Sequence, residues 1–357
     1  MSLFELFSLL GGVGLFLYGM TIMSTGLKNA CGENLRVILE HATKNKVISV
    51  VVGIAITMLI QSSSATDVMV IGFVNSGLMS LTQAIGVIMG ANIGTTITAQ
   101  ITAFNLSAYA PMILFVGAVL YLFMKKDMVK YIGSIIMGFG MLFEGIALMK
   151  TAIAPLAETE AFIRMISALE NPFLTVLFGI LFTALLQSSS SATVIFQAFA
   201  VQGIISYETS VYLVIGAAIG SVTPNILASL TMSRNGKRTA LLNLLFNLIR
   251  AAILMILLFI FPQILTVIKS LSPDNVARQI ANTHTIFAIF AVLVMLPFSD
   301  KIVKLTQRLL PLKPEESRTG EERKLLYMTQ TGAIPSAVAV SQAHREIIRM
   351  GEIASRN

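Results

Sequence analysis

Gln61-Ser62-Ser63-Ser64 interrupts the apolar run Val47–Ile60 with four uncharged, hydrogen-bonding side chains, and Thr66 and Asp67 follow at once. Gln187-Ser188-Ser189-Ser190 repeats the motif, with Ser191 and Thr193 behind it. A serine hydroxyl can donate to an anion's oxygen or accept toward a cation, so one such cluster can serve ions of both signs. Catalysis is the poorer reading. A serine nucleophile needs an adjacent base, and neither run brings a His or a Lys with it. No catalytic residue is therefore assigned.

Donors set in apolar sequence need elements to hold them. The chain has 357 residues, 55% hydrophobic and 12% charged, against about 25% charged in a soluble domain. Its apolar runs approach the roughly 20 residues that cross about 30 Å of hydrocarbon. A soluble globular fold is excluded, and an all-α polytopic membrane protein is expected. The first apolar segment starts at Leu3 without a basic flank and reads as a retained span, not a signal peptide. The net charge of +7 resides in short loops between apolar runs. That is a topology signal, so no nucleic-acid partner is expected; the partners are membrane lipid and small ions. The single Cys31 has no partner for an intrachain disulfide.

Shifting the sequence by 126 positions aligns two halves without a gap. Gly14 falls on Gly140, Asn45 on Asn171, Gly53 on Gly179, Thr57 on Thr183, the whole of Gln61–Ser64 on Gln187–Ser190, and Gly77 on Gly203. Gly90-Ala91-Asn92-Ile93-Gly94-Thr95 falls on Gly216-Ala217-Ala218-Ile219-Gly220-Ser221. Apolar helices share a small alphabet, but chance does not reproduce two polar motifs at one offset. Secondary transporters are commonly built from such duplications. The expected organisation is a first inverted repeat at 1–104, a linking span and cytoplasmic loop at 105–130, and a second inverted repeat at 131–231. Two additional spans at 232–300 and a cytoplasmic tail with an amphipathic helix at 301–357 complete it.

Each repeat reads as a span (4–24, 131–153), a long interrupted stretch (46–78, 172–204) and a second span (81–104, 206–230). Further spans are expected at 108–124, 239–261 and 281–299. Lys28, Arg36, Lys44 and Lys46, then Lys125, Lys126 and Lys130, then Arg234, Lys237 and Arg238, and finally Lys301, Lys304 and Arg308 mark cytoplasmic segments. Glu158, Glu160 and Glu170 against Arg164 suit the outside. These signs agree if each interrupted stretch is a re-entrant hairpin that returns to its own side, one from each face. The result is about seven full spans, a cell (inner) membrane location, the N-terminus outside and the C-terminus cytoplasmic. Two tips of uncharged donors would then meet near the midplane. Each return helix would offer unpaired N–H groups and a positive dipole end to an anion.

The doubled QSSS, each followed by a G-x-x-I-G-[TS] segment, resembles the type II sodium–phosphate cotransporter family, including its bacterial members. The resemblance runs from about residue 5 to 300. It implies secondary active transport: sodium-coupled uptake of inorganic phosphate by alternating access, not an enzyme, with Na+ as the coupling ion and no cofactor or other metal. By motif, Gln61, Ser62, Ser63, Ser64, Gln187, Ser188, Ser189 and Ser190 would bind phosphate. Ser64, Thr66, Asp67, Asn92, Thr95, Thr96, Ser191, Thr193 and Ser221 would serve sodium. Ala218 departs from the family's Asn, and Asp67 stands where hydroxyl residues occur in animal members, so sodium stoichiometry is left open. Carriage of another small anion, such as a carboxylate or sulfate, or channel conduction, are the rival readings; a homodimer is open. Bacterial relatives often carry a cytoplasmic helical domain resembling the phosphate regulator PhoU. From Pro335 this chain offers one amphipathic helix, either the first helix of a truncated copy or a surface helix.

Of the charges inside spans, Glu144 and Arg250 are expected to pair, with Asn243, Asn247 and Arg250 on one helical face. His284 and Asn282 are expected at an interface. Gly86, Gly90 and Gly94, like Gly216 and Gly220, have the four-residue spacing that lets helices approach.

Overall fold

The computed structural model describes residues 3–31, 45–104, 106–153, 171–311 and 347–348. The acidic loop and the predicted tail helix lie outside these residues but for the helical pair 347–348. The chain divides into two units, 1–306 and 307–357, and in the second the described residues are the end of the last helix and that pair.

The described residues are almost wholly helical: α1 (Leu3–Cys31), α2 (Lys46–Ile60), α3 (Ser63–Asn75), α4 (Leu81–Gly94), α5 (Thr96–Thr102), α6 (Ala110–Phe123), α7 (Asp127–Ile153), α8 (Pro172–Leu186), α9 (Ser189–Val201), α10 (Tyr207–Gly220), α11 (Thr223–Ser229), α12 (Arg234–Ile260), α13 (Gln263–Ser270), α14 (Val276–Met295) and α15 (Ser299–Leu309). Six segments are long and apolar enough to cross a bilayer: Phe7–Ala30, Leu81–Thr102, Asp127–Ala152, Tyr207–Ser229, Arg234–Ile260 and Val276–Leu309. The protein is a polytopic helical membrane protein. The span expected at 108–124 is the shorter helix α6, 14 residues or about 21 Å at 1.5 Å per residue.

Each interrupted stretch is a helix–turn–helix. Arms of 15 and 13 residues in the first and again 15 and 13 in the second run about 20 Å each, short of the hydrocarbon thickness. Local sequence dictates the ends. Asn45 and Asn171 cap the outgoing arms, accepting from Ile48 N at 2.8 Å and Phe173 N at 2.9 Å. Gly77 and Gly203 adopt positive φ at the far ends of the return arms, where a Cβ would be strained.

The outgoing arm α2 lies against α4, and α8 against α10. A Cβ at Gly90 would collide with the Val50 carbonyl, and one at Gly216 with the Val176 carbonyl. The glycine spacing is thus a backbone-to-backbone packing device, as the sequence predicts. The first helices of the two halves pack on each other: α1 lies along α7, which also packs on α6. Helix α12 joins the two apolar cores. Leu242 and Phe246 pack with Val50, Ile56 and Ile85, while Leu254 and Leu258 pack with Phe143 and Phe196.

Candidate functional site

The two QSSS turns have one backbone geometry. Gln61 (φ 57°, ψ 25°) and Gln187 (φ 56°, ψ 20°) end the outgoing arms in the left-handed conformation. They are the only non-glycine residues with positive φ among those described. Ser62 (φ −150°, ψ 107°) and Ser188 (φ −148°, ψ 110°) then reverse the chain as extended N-caps. Each cap hydroxyl accepts from the amide three residues on, Ala65 and Ser191, at 3.2 Å. The motif is therefore a chain-reversal device first. Left-handed glutamine costs about 1–2 kcal/mol, and backbone strain of this kind concentrates at ligand sites.

The turns differ in what their side chains have left to offer. Gln61 is buried and committed: its Nε2 donates to the Met58 carbonyl at 2.6 Å, and its Oε1 accepts from the Thr98 hydroxyl at 2.9 Å. Ser64 lies 3.4 Å from the Ser221 carbonyl. Thr66 accepts from Thr57 at 3.0 Å and donates to the Ser62 carbonyl at 3.1 Å. In the second turn Gln187 is exposed, whereas Ser189, Ser190 and Ser191 are buried. Ser191 donates to the Ser188 hydroxyl at 2.8 Å. Among the described residues the hydroxyls of Ser63, Ser189 and Ser190 make no hydrogen bond, and those of Thr183 and Thr193 are sealed in without a partner.

The turns do not pack on each other as main partners. Return arm α3 packs on α4, α11 and α12; return arm α9 packs on α10, α14, α5 and α7. Each therefore meets the short helix that ends the broken span of the other half, α3 against α11 and α9 against α5. Ser64 and Asp67, one helical turn apart, face that junction.

Asp67 is 4% exposed. Its Oδ2 accepts from Asn225 Nδ2 on α11 at 3.0 Å and from Asn243 Nδ2 on α12 at 2.8 Å. Asn247 Nδ2 donates to Asn243 Oδ1 at 2.8 Å. Three residues further along the same face, Arg250 is 3% exposed and donates through Nη1 to Asn92 Oδ1 at 2.8 Å. Neither Asp67 nor Arg250 has an ion-pair partner among the described residues.

The expected Glu144–Arg250 pair is not formed. Glu144 sits on α7, whose neighbours are α1, α6 and α9, and Arg250 turns instead to an amide on α4. His284 is not interfacial: it is buried two turns into α14, lining a void with Arg250 and Thr283. Asn282 is half-buried and accepts from Gln100 at 3.2 Å. Of the residues expected to serve sodium, Thr95 and Thr96 donate back to Ala91 and Ile93 carbonyls at 2.9 and 2.8 Å. The Asn92 oxygen is held by Arg250, and the Ser221 hydroxyl donates to Ala218 at 2.9 Å. Asn225 and Thr98 escaped the sequence reading. The only local sign of either was a polar residue in a short apolar helix just past a G-x-x-I-G break.

The family described as Na+/Pi-cotransporter matches residues 15–151 and again 144–296, one match over each half. Two relatives named for inorganic phosphate export (YjbB), from Salmonella typhimurium and Escherichia coli K12, are 29% identical over 97% of this chain and 63% of their own length. The chain thus spans under two thirds of those proteins. The uncharacterized protein YqeW of Bacillus subtilis is 28% identical over 84% of the chain and 96% of its own length. Sodium-dependent phosphate transport protein 2A of Rattus norvegicus is 37% identical over 27% of this chain and 15% of its length. No solved structure matches.

Proposed function

Because the chain belongs to the Na+/Pi-cotransporter family, a family of transporters rather than enzymes, we propose that it carries inorganic phosphate coupled to sodium, with phosphate held at the two QSSS turns. The observation that supports this most directly is the set of hydroxyls left over once the turns are built. Ser63, Ser189 and Ser190 sit on the first turn of their helices, where unpaired amides and the positive dipole end also favour an anion. An oxyanion with several acceptor oxygens and no fixed orientation suits such neutral donors. Gln61, Ser62, Ser64 and Ser188 build the turns, and Gln187 is free to reach a ligand.

Each arm alone falls short of the hydrocarbon thickness, which supports reading both stretches as re-entrant hairpins; with the apolar stretch Ser107–Phe123 as a seventh crossing beside the six long ones, the two halves are inverted in the membrane. On that topology the N-terminus is outside, the C-terminus is inside, and the protein lies in the cell membrane. The ligand is exposed to one side at a time. A sodium ion entering down 100 mV releases about 2.3 kcal/mol. One net charge moved per cycle therefore concentrates phosphate about 50-fold, which gives uptake. The export named for the enterobacterial relatives corresponds to the same cycle run backwards, since the summed gradients set the sign of net flux.

The test is uptake of labelled phosphate into proteoliposomes with and without an inward sodium gradient, with sulfate and succinate as competitors. Saturable, sodium-dependent accumulation resistant to both competitors is expected. Accumulation indifferent to sodium removes the coupling, competition by sulfate or succinate reassigns the substrate, and unitary currents make the protein a channel.

A further inference from the structure

We propose that the void between α10, α12 and α14 binds one monatomic anion of chloride's size and charge, held between Arg250 and His284. The inference goes beyond the transport reading and does not rest on it. The observation is a buried cation, with most of its donors unspent, on the wall of a small apolar space. Arg250, Thr283 and His284 are the polar side chains that line the void, and they are 3%, 2% and 5% exposed. The rest of the wall is hydrocarbon, from Leu254, Ile280, Phe287 and the facing residues of α10.

Arg250 Nη1 donates to Asn92 Oδ1 at 2.8 Å, the guanidinium's only hydrogen bond among the described residues, while Nε is sealed from solvent without a partner. The His284 ring makes no hydrogen bond there either, and its Nδ1 is buried and unpaired. Thr283 is already engaged: it donates to the Gln279 carbonyl at 2.9 Å and accepts from Tyr207 at 2.6 Å. A guanidinium keeps its charge and carries donors only, so its missing partner is an acceptor. Leaving a buried charge without a counter-charge is costly. A water molecule would satisfy one donor and leave the charge in place, whereas an anion answers both. A neutral imidazole adds a further N–H. Size then selects the ion. The void has about 10 Å³ of room for the centre of a water-sized sphere, space for one small guest. A halide qualifies; a tetrahedral oxyanion does not, so the site is separate from that of phosphate.

The position gives the anion a task. Helix α12 packs on the first return arm, α3, and α14 on the second, α9. An anion gripped by Arg250 and His284 ties together the two helices on which the return arms lie. Arg250 extends the tie to α4 through Asn92. The ion is a clamp rather than a passenger.

The experiment is thermal unfolding of the purified full chain at fixed sodium concentration, with chloride exchanged for gluconate, which is too large to enter. A ligand that binds the folded state alone raises the melting temperature, so wild type should show a saturable rise with chloride, and bromide should reproduce it. Arg250→Gln should raise the chloride midpoint about tenfold or more, as loss of a hydrogen bond from a charged group does. His284→Leu should raise it less, and Ser189→Ala should keep the wild-type midpoint. Absence of any chloride-dependent shift, or a wild-type midpoint in Arg250→Gln, overturns the site and leaves sodium-coupled phosphate transport untouched. Should Arg250→Gln fail to fold, crystals of the wild type grown in bromide decide. Anomalous density between Arg250 and His284 is expected, and an ordered water alone overturns the proposal. Inorganic phosphate added in gluconate separates the two anions: its stabilisation should survive Arg250→Gln. Loss of that stabilisation instead would put Arg250 on the substrate's path and end the proposal.

Discussion

Two turns with the same four-residue motif and backbone angles within about five degrees of each other have opposite interiors. In the first, the glutamine is buried and bonded on both ends while Ser62, Ser63 and Ser64 are half-exposed; a carboxylate follows one turn later. In the second, the glutamine is exposed, three serines are buried, and Thr193 stands unpaired where the first has Asp67. Duplication preserved the part that reverses the chain and let the surroundings diverge. A symmetric pair of turns would present a cation and an anion with identical half-sites. Divergence leaves a buried carboxylate one turn behind the first motif and only neutral hydroxyls behind the second.

The sharpest way to break this comparison is through the uncommitted hydroxyls. Ser189→Ala removes a buried donor that no protein group uses, so folding should be nearly unaffected. A hydrogen bond to a charged ligand is worth about 1.5–3 kcal/mol, so phosphate uptake in proteoliposomes should fall about 10- to 100-fold. Ser63→Ala, at the more open turn, should lower uptake in the same direction. Wild-type kinetics in both would mean that the turns are scaffolding and the ligand binds elsewhere.

Much of this division was legible in the sequence, and what was not has a physical reason. The QSSS runs announced themselves because four polar side chains inside an apolar stretch need a special environment, and the offset of 126 placed both. Asn45 and Asn171, which the sequence marks only as a match between the halves, turn out to cap the outgoing arms. The partners of Asp67 were not legible, because Asn225 and Asn243 lie 158 and 176 residues away. No local spacing marks an amide that will meet a carboxylate across two helices. The Glu144–Arg250 expectation failed for a related reason. Opposite charge suggested a pair, but α7 is packed on α1 and α6, and Arg250 reached an uncharged amide on α4. His284 was misjudged from its distance to a span end, when the helix begins at Val276.

A second contrast sharpens the comparison through the glutamines. Gln61→Ala strands the Met58 carbonyl and the Thr98 hydroxyl, each at about 1 kcal/mol, so thermal unfolding in detergent should shift down. Gln187 makes no side-chain hydrogen bond, so Gln187→Ala should leave stability within about 0.5 kcal/mol of wild type. If Gln187 reaches phosphate, the same variant raises KM for uptake. Equal destabilisation by both substitutions would erase the claimed asymmetry of the turns.

The smallest effect tests the divergence at a single hydrogen bond. Thr57 donates to Thr66 in the first half at 3.0 Å. In the second half the residue that matches Thr66 is Ala192, which has no hydroxyl, and the corresponding Thr183 hydroxyl is buried unpaired. Valine matches threonine in shape without the hydroxyl. Thr57→Val therefore gives up a satisfied bond and should cost about 1 kcal/mol, whereas Thr183→Val removes a group that has already lost its water and should be neutral or stabilising. Thermal unfolding of the two variants side by side reads the sign. Destabilisation by Thr183→Val, or loss of phosphate uptake in a variant that still folds, would mean that the hydroxyl is not idle. It would then belong with Ser189 and Ser190 among the groups that face the transported ion.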